Sequence, residues 1–316
     1  MNLDDPLTPA EIAEARNRIA GIALRTPLMP MADGRTRLKL ECLQPTGSYK
    51  IRGATNLVKA RGLAGPVVSV SAGNFGQALA AATRGLPVTI HVPDNAARVK
   101  VDNLRRLGAE VREHSHEIWW RIVATRDAGD PAATFVHPVC EREMIAGSAT
   151  IGAEIVEDLP DVEAVLIPFG GGGLASGIAQ AVKLQRRQCR IIAVETDTAA
   201  PLKAALAAGR PVTVERKASF VDGMGSTRVL DSMWPLLERL IDEVIVVSIA
   251  EVEEAIRRLA ADHHVVAEGA GAAAVAAAAK LGGDHAVAIV SGGNIDPGEF
   301  ARILVTPTGL EPVFSP

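Results

Sequence analysis

Apolar positions along the chain repeat with two periods, and the periods alternate. Residues 37–43 alternate apolar with polar, which predicts a strand carrying Leu38, Leu40 and Cys42 on one face. Before it, Thr8-Pro9-Ala10-Glu11 has the form of a capping box with proline at the first helical position. Ile12, Ala15, Ile19 and Ile22 then follow at helical spacing, so that helix should cover a core. Beyond a Pro45-Thr46-Gly47 turn a helix is predicted from near Ser48. Strands over 66–70, 86–92, 110–113 and 135–139 are then separated by helices over 75–84, 95–107 and 118–124. A second series has strands over 162–169, 190–195, 244–247 and 286–290. Its helices cover 151–159, 174–185, 201–208, 250–262 and 270–281, with an aperiodic stretch over 209–227. Strands alternating with helices of this length predict parallel βαβ units. Continuous apolar strands predict sheets covered on both faces. The fold class is therefore α/β.

The chain has 316 residues, which favours two domains over one. Hydrophobic content of 48 % and charged content of 22 % are those of a globular protein. A net charge of −4 leaves no basic footprint for nucleic acid. Cys42, Cys140 and Cys189 have no paired spacing, which argues against a disulfide framework or a zinc site and fits a reducing compartment. The acidic start Met1-Asn2-Leu3-Asp4-Asp5 is unlike a signal peptide, and no apolar run reaches the ~18 residues that span a bilayer. A cytoplasmic protein without membrane or nucleic-acid partners is expected.

Ligands of open α/β sheets bind beyond the carboxyl ends of the strands, so the loops there carry the chemistry. Gly170-Gly171-Gly172-Gly173 follows a buried strand and opens a helix, which lets backbone amides and the helix dipole meet a phosphate. The same loop fits G-x-G-x-x-A through Gly170, Gly172 and Ala175, with Glu195 ending the next strand about 20 residues on. On that rival reading Glu195 meets a ribose hydroxyl and the protein is a nicotinamide oxidoreductase. Ser71-Ala72-Gly73-Asn74-Phe75 is a second strand-to-helix loop, suited to a carboxylate or simply to capping a helix. Ser291-Gly292-Gly293-Asn294 places a hydroxyl after the last strand. Lys50 falls in the first turn of its helix, where the dipole disfavours cations. An amine held there can form a Schiff base, whereas a lone lysine is more often solvated. A phosphate cradle, an anion loop, a hydroxyl and an amine together point to pyridoxal phosphate.

Pro45-Thr46-Gly47-Ser48-Tyr49-Lys50-Ile51-Arg52-Gly53-Ala54, Ser71-Ala72-Gly73-Asn74, Gly170 to Leu174 and Ser291 to Asn294 resemble the motifs of the serine/threonine dehydratase and serine racemase family, in order and spacing. These are fold-type II pyridoxal-phosphate enzymes related to the tryptophan synthase β subunit. The resemblance covers nearly the whole chain. It implies two three-layer αβα domains with mainly parallel sheets: residues 1–47 plus 141–316 as a large cofactor-binding domain and 48–140 as a small substrate-carboxylate domain. It also implies a homodimer. By position, Lys50 would hold the cofactor and then act as base at Cα. Gly170, Gly171, Gly172, Gly173 and Leu174 would bind the phosphate, Asn74 the ring's 3′ oxygen and Ser291 the ring nitrogen. Ser71, Ala72, Gly73, Asn74 and Phe75 would grip the substrate carboxylate. Tyr49 stands where the family usually has phenylalanine.

Three departures from the family pattern bear on activity. Ala72 replaces the serine that serves racemases as the acid/base opposite the lysine, so dehydration with little racemisation is expected. Phe75 replaces a histidine. At the family's divalent-cation loop (Mg or Mn), Glu195 and the Ala199 carbonyl are in register, but Pro201 takes the second acidic place. The chain ends at Pro316 without the family's C-terminal regulatory domain, so feedback control by a branched amino acid is not expected. The implied reaction is β-elimination of water from a 3-hydroxy amino acid: serine, threonine, 3-hydroxyaspartate or phenylserine. A racemase of the same family and a non-catalytic ligand-binding relative are the alternatives, though the latter would be expected to lack Lys50. Trp119 and Trp120 are expected as core aromatics of a helix, and His114, His116 and Glu117 as its solvated start.

Overall fold

The computed structural model describes residues 3–31, 34–71, 73–94, 96, 98–281 and 285–305. Helix α1 (Pro9–Ile19) begins as its capping box requires: the Thr8 side chain accepts the Glu11 amide while Glu11 accepts the Thr8 amide. Ile12, Ala15 and Ile19 are buried, but the helix stops at Ile19 and Ile22 lies exposed beyond it. Two strands, β1 (Leu28–Pro30) and β2 (Thr36–Lys39), pair antiparallel. The alternation over 37–43 does not remain a strand to its end. After Lys39 the chain tightens into a 3₁₀ turn over Glu41–Leu43, which turns the Glu41 carboxylate inward.

Helix α2 (Lys50–Ala60) leads into the unit of β3 (Val67–Val70), α3 (Asn74–Ala82), β4 (Val88–Pro93), α4 (Arg98–Arg106), β5 (Glu110–His114), α5 (His116–Thr125) and β6 (Thr134–Val136). These strands form a four-stranded parallel sheet in the order β5-β4-β3-β6. The remaining elements are α6 (Arg142–Asp158), β7 (Ala164–Pro168), α7 (Gly173–Gln185), β8 (Arg190–Thr196), α8 (Pro201–Ala208), α9 (Trp234–Leu240), β9 (Glu243–Val247), α10 (Ile249–His263), α11 (Gly269–Ala278), β10 (Ala286–Ile289) and α12 (Pro297–Val305). They complete a six-stranded sheet ordered β1-β2-β10-β7-β8-β9, parallel except for β1. The fold is thus the expected mainly parallel α/β architecture. Apolar side chains cover both faces of the large sheet and fill a third core in the small one.

Three differences from the sequence pattern have physical reasons. Helix α6 begins nine residues before the predicted 151, since its first half contains Gly147 and Ser148, which weaken local helix propensity. Packing overrides that weakness. A Cβ on Gly147 would lie 2.5 Å from the Gly53 Cα, and one on Gly177 would lie 2.5 Å from the Ile145 carbonyl, so α6 touches α2 on one side and α7 on the other. Helix α9 is too short to display a period, and α12 follows an Asp296-Pro297 start that the periodicity did not reach.

A closed set of buried charges sits where these helices meet β2. Arg52 donates to Glu41 through Nε and Nη2, both at 2.8 Å, and to Glu154 through Nη1 at 2.7 Å. Lys39 donates to Glu154 at 2.6 Å and to the Thr26 carbonyl at 2.7 Å. Two cations therefore meet two carboxylates in a region that water does not reach. Arg52→Leu should lower unfolding free energy by about 3–5 kcal/mol, because it strands carboxylates in the interior. Arg105→Ala, at the exposed Arg105–Asp102 pair, should cost less than about 1 kcal/mol. Urea denaturation of both variants checks the contrast, and comparable losses would contradict it.

Candidate active site

The loops picked out by their residues converge on one cleft of about 730 Å³ between the two sheets. It is lined by Lys50, Ser71, Gly73, Asn74 and Phe75 from one side and by Gly170 to Leu174 and Ser291 from the other. Ala72 falls outside the described residues. Lys50 is the first residue of α2, and its Nζ donates to the Pro138 carbonyl at 3.2 Å. The Tyr49 and Phe75 rings flank that amine, with centroids 5.2 and 5.8 Å away.

The glycine loop admits backbone only. A Cβ on Gly170 would stand 2.6 Å from the Gly223 carbonyl oxygen, and one on Gly171 2.6 Å from Val139 Cγ2. Gly172 has a φ of +91°, and a Cβ there would meet Leu237 at 2.8 Å. The amides that open α7 have no carbonyl one turn back to pair with, so they are available to an anion in the cleft. A loop of free backbone amides and a primary amine thus share one cavity, and this donor set fits pyridoxal phosphate. Opposite, α3 starts tightly: a Cβ on Gly76 would lie 2.2 Å from the Ser71 carbonyl, which sets Ser71 against the first turn of α3. The loop after β10 is stitched to the Lys50 turn, for the Tyr49 amide donates to the Ser291 carbonyl at 3.0 Å and the Gly293 amide to the Gly47 carbonyl at 2.8 Å.

Residues 20–292 match the family of pyridoxal-phosphate dependent enzymes. The chain belongs to that family. It is 38 % identical to an L-threonine ammonia-lyase of Thermotoga maritima over 94 % of this chain and 78 % of the other. It is 33 % identical to a serine racemase of Oryza sativa over 91 % of each. Among solved structures, maize serine racemase superposes with a TM-score of 0.87 at 32 % identity, covering 94 % of this chain and 97 % of that one. The fold is that of the fold-type II enzymes.

Several expectations gain detail in the structure. Glu195 caps α8, for its two oxygens accept the amides of Leu202 and Lys203 at 2.8 and 2.9 Å. Among the described residues no group of three or more His, Cys, Asp or Glu side chains could hold a metal, and the Ala199 amide donates to the Thr196 carbonyl at 3.2 Å. The family match displaces the oxidoreductase reading. Trp119 is not only a core aromatic. It lines the cleft, and its indole donates to the His91 carbonyl at 3.2 Å. The Trp120 and His116 side chains lie outside the described set, and His114 stacks on His91 with ring centroids 4.8 Å apart. Sequence reasoning missed Lys100, Arg216, Asp222 and Glu268, which also line the cleft. Lys100 of the small unit pairs with Asp222 of the large one across it. Glu268 begins α11, and the only available sign was an acidic residue at the head of an alanine-rich helix.

Two electrostatic consequences can be measured. His137 accepts the Val139 and Cys140 amides at its Nδ1, both at 3.1 Å, which requires that nitrogen to be unprotonated. Burial, helped by the charges of Arg126 and Lys50, pushes its pKa down to about 4 from 6.5. Between those values the unfolded chain binds a proton that the folded one refuses, so stability is lost as pH falls from about 6.5 to about 4. Thermal melting of His137→Asn should therefore show a smaller acid-side drop than the parent chain. Glu195 has the opposite sign. Burial pushes it up to about 7, so its ionisation costs stability as pH rises from 4.5 toward 7, and Glu195→Gln should remove that cost. Unchanged slopes in both variants would refute the assignments.

Proposed function

We propose that the protein is a pyridoxal-phosphate-dependent ammonia-lyase that eliminates water from a 3-hydroxy amino acid to give a 2-oxo acid and ammonia. The observation that carries this reading is the Lys50 amine facing the Gly170–Gly173 cradle across a cleft that the Ser71–Phe75 loop also enters. When bound, the cofactor supplies the electron sink for charge developing at Cα. Gly170 to Gly173 and Leu174 would bind its phosphate with backbone amides. Asn74 would donate to the ring's 3′ oxygen and Ser291 would meet the ring nitrogen as a neutral hydroxyl, which would moderate the sink and favour prompt loss of a β-leaving group. The loop of Ser71, Ala72, Gly73, Asn74 and Phe75 holds the substrate carboxylate at the start of α3. Lys50 Nζ would take the Cα proton and hand it to the departing hydroxyl, which then leaves as water. The released enamine hydrolyses to the 2-oxo acid and ammonia.

The relatives named threonine ammonia-lyase support this class, with threonine, serine, 3-hydroxyaspartate and phenylserine as the substrates to compare. Racemisation needs a second acid/base on the face opposite the lysine. Relatives named serine racemase make it the competing reading, and the methyl group of Ala72 can neither give nor accept a proton. We further propose that 48–140 behaves as the small domain against 1–47 plus 141–316. A cytoplasmic homodimer belongs to the same reading. Three free thiols support the compartment, and light scattering tests the dimer. The proposed reaction needs no divalent cation, and Pro201 stands where the family's second acidic ligand would be. Chelation should accordingly leave turnover unchanged.

Lys50→Ala should abolish both the visible absorbance of the purified protein and all release of 2-oxo acid. Retained turnover would refute the assignment. D-serine formed from L-serine at a rate comparable to pyruvate would overturn the lyase reading in favour of the racemase.

A further inference from the structure

Asn74 belongs to the small sheet's unit, yet its side chain is held by residues of the large one. Its Nδ2 donates to Glu268 Oε1 at 2.6 Å, and its Oδ1 accepts from Asn294 Nδ2 at 2.8 Å. Asn294 uses its other N–H on the Thr46 carbonyl at 2.9 Å, so both of its donors are committed. These contacts fix the amide's sense, because the flipped side chain would set an oxygen against the Glu268 carboxyl and an N–H against a donor. One Nδ2 hydrogen remains, and Asn74 lines the cleft.

The chain around the three side chains is shaped to bring them together. A Cβ on Gly292 would stand 2.3 Å from Glu268 Oε1, and one on Gly47 would stand 2.3 Å from Asn294 Oδ1. Gly47 also has a φ of +71°, which disfavours a side chain independently. The Glu268 amide donates to the Gly292 carbonyl at 3.0 Å. Two glycines and a backbone bond thus clear the space in which the chain Glu268–Asn74–Asn294 closes. Glu268 is only 8 % exposed, and the charged groups that face it are Lys100 from α4 and, beyond Lys100, Asp222.

We propose that Glu268 and Asn294 are positioning residues that act through Asn74, aiming its remaining N–H at the ring end of the cofactor. The inference rests on the reading of Lys50 and the glycine loop given above and adds to it two residues with no contact to the phosphate. It also makes the seating of the cofactor depend on closure of the small unit onto the large one, since Asn74 comes from one and both its partners from the other. Cofactor affinity, measured by quenching of tryptophan fluorescence during titration of the apo-protein, reads this without reference to turnover.

Asn294→Ala and Glu268→Ala should each weaken cofactor binding roughly tenfold and move the visible absorbance maximum, the size expected for losing one hydrogen bond of this kind. Glu268→Gln, which keeps an acceptor for Asn74 Nδ2, should restore most of that loss. The decisive measurement is a double-mutant cycle. If Asn294 works only through Asn74, then Asn294→Ala adds no further loss to Asn74→Ala, whereas a merely structural role makes the two losses add. Additive losses, or a Glu268→Gln variant as impaired as Glu268→Ala, would overturn the proposal. A parent protein with no visible band at all would instead refute the cofactor reading, so the two failures are distinguishable.

Discussion

Arg52 makes the molecule's central commitment. Its guanidinium lies two residues beyond Lys50 and is enclosed, so its charge has no solvent to turn to. Glu41 from the turn after β2 and Glu154 from α6 grip it from both sides, and Lys39 balances the second carboxylate. Burying four charges is costly unless each is satisfied, and here each finds an opposite partner at hydrogen-bonding distance. The planar fork of arginine answers two carboxylates at once with several N–H groups in fixed directions, where an ammonium would offer only a point charge. The helix bearing Lys50 is therefore tied to the turn after β2 and to α6, and the position of its first residue follows.

From that tie the cleft is assembled by close approach of backbone. Helix α6 touches α2 through Gly53 and Gly147 and touches α7 through Gly177, so the helix carrying the amine and the helix opened by the glycine loop share one neighbour. Parallel strands then deliver their carboxyl ends to the same side: β3 to Ser71, β7 to Gly170 and β10 to Ser291. The rigid parts of the site thus come from sheets and packed helices. Its polar contacts come from short loops that these elements leave no room to wander.

The electrostatics of the cleft divide between its two walls. Lys100 and Asn74 come from the small unit, while Asp222, Glu268 and Asn294 come from the large one, and they pair across the gap. Burial pushes the Glu268 carboxyl up, with the Asn74 hydrogen bond and Lys100 working against that. The contacts that close the cleft are thus also those that orient its functional groups.

The parallel α/β class, the strand-end glycine and serine loops and the lysine at a helix start were all legible in the residues, because periodicity and turn chemistry are local properties. Thr8 with Glu11 and Gly170 to Gly173 needed no partner from elsewhere to be read. Glu195 marks the limit of that legibility: its distance from the glycine loop suited a ribose, but its capping of the α8 amides depended on a helix seven residues on. Glu268, Lys100 and the start of α6 left almost no trace in the sequence, since their roles arise from contacts to residues far along the chain. The sequence by itself determined the elements and the chemistry of their loops. Only the tertiary structure decided which loops face one another and which charges are buried, because desolvation and pairing belong to positions in space and not to positions along the chain.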